Sequence, residues 1–128
     1  MCVNTVLNEE HFEFFQDCCK VWIDKFGLKD WKFSFGFTPQ DENFRAFINS
    51  DTPNRIAHIN LEKVWKDSYE NDAIYTELKY VALHEILHNV LAQLLFTVQY
   101  RSHDVELLDC AEHAVIMRLS NLLLKEDE

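Results

Sequence analysis

The run Ala82-Leu83-His84-Glu85-Ile86-Leu87-His88-Asn89 constrains this chain more than any other stretch. Two histidines four residues apart on a helix share one face, one turn from each other. Their imidazoles can converge on a single cation. Glu85, beside the first of them, projects toward the same side. Val81, Ala82, Leu83, Ile86, Leu87, Val90 and Leu91 surround these three, so the helix is expected to be buried nearly all round. Polar groups without partners are costly in such a place, and a bound metal ion supplies the partner. His84 and His88 are therefore read as metal ligands. Glu85 is read as a general base for a water that the metal activates. The donor set favours Zn2+.

The rest of the composition fits one compact unit. A chain of 128 residues that is 48% hydrophobic, with only two Gly and two Pro, is expected to form a single domain over 1–128. The net charge of -10 argues against nucleic acid and anionic membranes as partners, because both repel an acidic surface. No apolar run reaches spanning length, and the first ten residues lack the basic and apolar regions of a signal segment. Cys2, Cys18, Cys19 and Cys110 include no C-x-x-C pair. Adjacent Cys18 and Cys19 point different ways on a helix. Free thiols in a reducing cytoplasm are the expectation.

Periodicity gives the order of elements. Residues 1–7 read as a short arm. Asn8 is a helix N-cap, with Glu9 and Glu10 in the first turn. Phe12, Phe15, Cys19, Trp22 and Phe26 form an apolar stripe that ends at Gly27, so the first helix spans about 9–26. Trp31, Phe33, Phe35 and Phe37 alternate with Lys32, Ser34 and Gly36, which is the pattern of a half-buried strand over 31–37. Residues 44–50 and 55–61 read as two more strands around the turn Asp51-Thr52-Pro53-Asn54. Short links between the three imply an antiparallel meander. Residues 62–71 read as a helical turn and loop. A helix over 73–96 carries the two histidines, a loop over 97–101 follows, and Ser102 caps a last helix over 103–124. The expected class is α+β: an N-terminal helix, a three-stranded antiparallel sheet, the H-E-x-x-H helix and a C-terminal helix.

A catalytic zinc needs a third protein ligand and one open position. The candidates are His103, Asp104, Glu106, Asp109, Cys110, Glu112 and His113. On the last helix, Leu108, Ala111, Val115, Leu119 and Leu122 read as the inward stripe, and Glu112 lies close to its centre. His113 sits about 100° further round. Glu112 takes first place, with His113 as the alternative third or additional ligand.

With these residues in view, the pattern resembles a minimal zincin. Glu112 comes 24 residues after His88, similar to the spacing in its gluzincin branch. Phe44-Arg45-Ala46, Ile59-Asn60-Leu61-x-x-x-Trp65, the segment Val81–His88, and Glu112-His113-Ala114-Val115-Ile116-x-Arg118-Leu119 also resemble small metallopeptidase-like proteins encoded by phages and prophages. The metzincin extension is missing, since Gln93 and Phe96 do not fit it. The resemblance implies a zinc-dependent peptidase acting on a peptide or protein substrate. It also implies a substrate laid as an added strand on a sheet edge, with the strand around His58 as the platform. Tyr75, Tyr80 and Tyr100 are the candidates for an oxyanion donor. The competing expectation is an acidic, zinc-binding interaction or inhibitor protein without proteolytic activity.

Overall fold

The computed structural model describes residues 2–39, 44–69, 73–99 and 105–126. The chain is α+β, with three helices and two small sheets among the described residues. β1 (Cys2–Val6) leads to α1 (Glu9–Lys25). β2 (Lys32–Thr38), β3 (Ala46–Asp51), β4 (Ile56–Glu62) and β5 (Val64–Tyr69) follow, and then α2 (Ile74–Gln99) and α3 (Val105–Glu126).

α1 begins and ends where its sequence dictates. The Asn8 side chain accepts from the His11 backbone N–H at 3.0 Å, and the Asn8 N–H donates to His11 Nδ1 at 3.1 Å. This is a capping box with histidine in the place of the usual acid or amide. At the other end Gly27 adopts φ +69°. Its N–H donates to Asp24 O, and that of Leu28 donates to Ile23 O. That pair of bonds is a Schellman closure. Phe15, Cys19 and Trp22 are buried beneath α1, and Phe12 stacks on Phe37 with ring centroids 4.8 Å apart.

The three-stranded sheet is mixed, not an antiparallel meander. Its order is β2-β4-β3, with β2 parallel to β4 and β3 antiparallel to it. β2 ends and β3 begins at the same end of the sheet. The intervening segment has only to cross two strand spacings, about 10 Å, which a handful of residues span easily. A short link thus does not require neighbouring strands. β4 is left in the centre, and Ala57, Ile59 and Leu61 are buried on its helix-facing side. Asn60 and Glu62 are also buried, on the opposite face, at 2% exposure each. On that face Gly36 lies beside Asn60 in the register. Thr38 Oγ1 donates to Asn60 Oδ1 at 3.0 Å, and Ser34 Oγ meets His58 Nδ1 at 2.8 Å.

Two further expectations are overturned. The N-terminal arm and part of the segment 62–71 pair with each other: β1 runs antiparallel to β5, with Val6 opposite Val64. The pairing partners lie about sixty residues apart, so neither strand is visible in its own short sequence. Leu7, just after β1, and Trp65, opposite Thr5 in this pairing, are buried. Residues 97–99, expected to begin a loop over 97–101, continue α2 instead, and residues 100 and 101 lie outside the described residues. The Ser102 cap lies outside the described residues.

α2 packs against α1, α3 and β3. Leu78, Val81, Ala82, Leu83, Ile86 and Leu87 are buried along it, which agrees with a helix apolar on most of its circumference. α3 is rotated relative to expectation. Its buried line runs through Ile116 and Ser120, flanked by the half-buried Glu112, Leu119 and Leu123, while Val115 and Leu122 are 44% and 53% exposed. A helix this rich in leucine offers two apolar columns, and sequence alone does not say which one docks. No helix among the described residues is long and apolar enough to cross a membrane.

Gly36 tests the sheet. A Cβ there would stand 2.7 Å from Asn60 Oδ1 and 3.0 Å from His58 Nε2. Gly36→Ala should cost about 1–3 kcal/mol in urea unfolding, as overpacking at a closed site does. The same change in an Asn60→Ala background should cost clearly less, because the obstructing oxygen is gone.

Candidate metal centre

α2 and α3 bring three imidazoles together. The ring centroids of His84 and His88 are 4.9 Å apart, those of His88 and His113 are 4.9 Å apart, and those of His84 and His113 are 5.9 Å apart. One ligand nitrogen from each lies within 4.8 Å of the others. The first two come from successive turns of α2, as their spacing dictates. The third comes from α3, about 100° round that helix from the half-buried Glu112.

The hydrogen bonds at the far sides of the rings decide which nitrogens face inward. Glu112 Oε2 lies 2.8 Å from His88 Nδ1. A carboxylate accepts, so the His88 Nδ1–H donates and the lone pair is at Nε2. His113 Nδ1 lies 2.9 Å from the Asp109 carbonyl oxygen. A carbonyl also only accepts, so His113 likewise presents a bare Nε2. His88 Nε2 faces His84 Nε2 at 3.3 Å. Two nitrogens each about 2.0–2.1 Å from a tetrahedral zinc stand about 3.3–3.4 Å apart, so the spacing suits that ion. His84 Nδ1 is buried and has no hydrogen-bond partner among the described residues.

Electrostatics mark the site as strained without a cation. Burial, then His88 and His113, lower the His84 pKa to about 4. Burial, then the neighbouring Glu112, raise that of Glu85 to about 8. Glu85 is only 6% exposed. A divalent charge at the Nε2 atoms reverses both penalties, since it binds the neutral imidazole and favours the carboxylate.

The expected residues are distributed as follows. His84, Glu85, His88, Glu112 and His113 all line one cavity of about 540 Å3. His113 groups with His84 and His88, whereas Glu112 holds His88 from behind and groups with Asp109 and His113. Cys110 is exposed. His103, Asp104 and the side chain of Glu106 lie outside the described residues. Among the tyrosines, Tyr80 lies beside His84 with ring centroids 6.0 Å apart. Tyr75 packs instead on His11 and Phe14, and Tyr100 lies outside the described residues.

The cavity's other wall was not foreseen. It is β3, through Ala46, Phe47, Ile48 and Ser50. The strand around His58 is β4, whose two sides are occupied by β2 and β3, so it offers no open edge. Consecutive side chains of a strand point to opposite faces. A cavity lined by both faces of β3 therefore opens along that strand's edge. Ser50 Oγ also donates to the buried Asn89 Oδ1 at 2.8 Å, tying β3 to α2 beside His88. Asn89 is a further polar residue within the same apolar run. The argument that singled out the histidines applied to it as well.

The two displaced pKa values set the pH response of metal-free protein. Between pH 6.5 and about 8 the unfolded chain has ionised Glu85 while the folded chain keeps its proton. The folded state then holds more protons, so stability falls as pH rises through that interval. At lower pH, from about 4 to 6.5, the neutral His84 acts in the opposite direction. Urea midpoints of chelator-treated protein should therefore decline across pH 6.5–8, and Glu85→Gln should flatten that decline.

No protein-family model, curated protein or solved structure matches the chain.

Proposed function

We propose that the protein is a zinc-dependent peptidase. The observation that carries this reading is the convergence of three imidazoles, with the Nε2 atoms of His84 and His88 3.3 Å apart, beside a buried carboxyl at the wall of an open cavity. His84 and His88 hold the ion from α2. His113 completes the set from α3, and Glu112 orients His88 from the second layer, as carboxylates behind ligand histidines commonly do. Zinc in such a site acidifies a bound water and polarises the carbonyl under attack.

The chain's own residues supply the rest. Glu85 takes the proton of the attacking water and delivers it to the leaving amine. Its burial keeps bulk water from competing for that proton. Among the described residues the edge of β3 away from β4 is paired with no strand, so an extended peptide can lie there as an added strand. That arrangement supports a peptide as the substrate.

Glu85→Gln should keep its zinc, measured by elemental analysis, and lose peptide hydrolysis by about 10^2-fold or more. Proteolysis equal to that of the unchanged protein would refute the role of Glu85. Retained zinc with no hydrolysis by the native chain would turn the reading toward the acidic interaction protein. Ligand identity is tested separately. His113→Ala should empty the site, while Glu112→Ala should weaken zinc binding by about 10–100-fold. The reverse order of loss would make Glu112 the third ligand.

A further inference from the structure

A second cavity of about 260 Å3 adjoins the first and shares His84, Glu85, Phe44 and Ala46 with it. Its remaining walls are Tyr80, Val81 and Arg45. Both spaces thus meet at the general base. We propose that this smaller cavity is the subsite that takes one apolar side chain, branched or aromatic, next to the bond to be cleaved. The proposal rests on the peptidase reading and names the substrate preference of that same site.

Size limits the occupant. Pockets for whole small molecules run to about 300–1,000 Å3, so this one suits a single side chain. Chemistry limits it further. Phe44, Ala46 and Val81 present hydrocarbon. Arg45 is already engaged, because it forms an ion pair with Glu77 from the first turns of α2 and its guanidinium lies 4.9 Å over the Trp65 ring. An incoming acid would have to displace Glu77, and an incoming base would meet the guanidinium. Arg45, just before β3, is thus a wall of the cavity whose charge is already matched by Glu77. Phe44 stands between the two cavities and is 58% exposed, free to lie against a substrate.

The probes are succinyl hydroxamates that differ in one substituent, namely methyl, isobutyl, benzyl, carboxymethyl or aminobutyl. Their binding to zinc-loaded protein is followed by calorimetry, with acetohydroxamate as the reference for access to the metal. Isobutyl and benzyl should bind about tenfold or more tightly than methyl, and the two charged groups no more tightly than methyl. Val81→Phe, which fills the cavity, should abolish that gain. Phe44→Ala, at an exposed position, should reduce it even if Val81→Phe fails to fold. If acetohydroxamate binds and all five substituted hydroxamates bind equally tightly, or the carboxymethyl one binds the tightest, the subsite is overturned and the peptidase stands. If no hydroxamate binds a chain that holds zinc, the peptidase reading fails and the subsite falls with it.

Discussion

The contact between His88 and Glu112 joins the two halves of the site. It crosses from α2 to α3, fixes the proton on the outer nitrogen of one ring, and so aims the inner nitrogen at His84. Without that bond His88 would have no reason to hold one tautomer or one rotamer. α3 would also lose a polar tether at the level of the site. Ile116, Leu119 and Leu123 of α3 pack into the core, but apolar packing is non-directional and positions a helix, not a lone pair.

Folding this chain brings ionisable groups into a place that disfavours their charge. Glu85 and His84 are held far from their ordinary ionisation, and His84 Nδ1 and Asn89 Nδ2 are buried without partners among the described residues. Displaced ionisation of this kind clusters at functional sites as a rule, whereas Asn60 Nδ2 and Ser120 Oγ, also buried without partners among the described residues, lie off the cavity. The apolar mass around them provides the compensation. Phe15, Cys19, Leu83, Ile86 and Ile116 are essentially inaccessible to water.

Strand order decides what faces the cavity. With β4 in the middle, its two sides are satisfied and its side chains are buried on both faces. β3 is left at the edge and against α2. The same topology puts Phe44 where the main cavity meets the smaller one, and Arg45 on the wall of the smaller one. The mixed sheet thus exposes a strand edge beside the histidines, which the expected arrangement had assigned to the strand around His58.

Features that depend on nearby residues were legible in the sequence. Asn8 and Gly27 bound the first helix because a cap and a left-handed turn act within one turn of chain. His84 and His88 share a face because helical pitch alone sets it, and the surrounding apolar residues announced a buried helix. The tertiary structure decided what depends on distant partners. β1 and β5 each lack a pattern strong enough to stand without the other. The place of β2 beside β4 follows from which edge the chain crosses to, not from any residue in the link. On α3 a rotation of about 100° separates Glu112 from His113, and only docking against α2 determines which of the two faces the other histidines and which stands behind them.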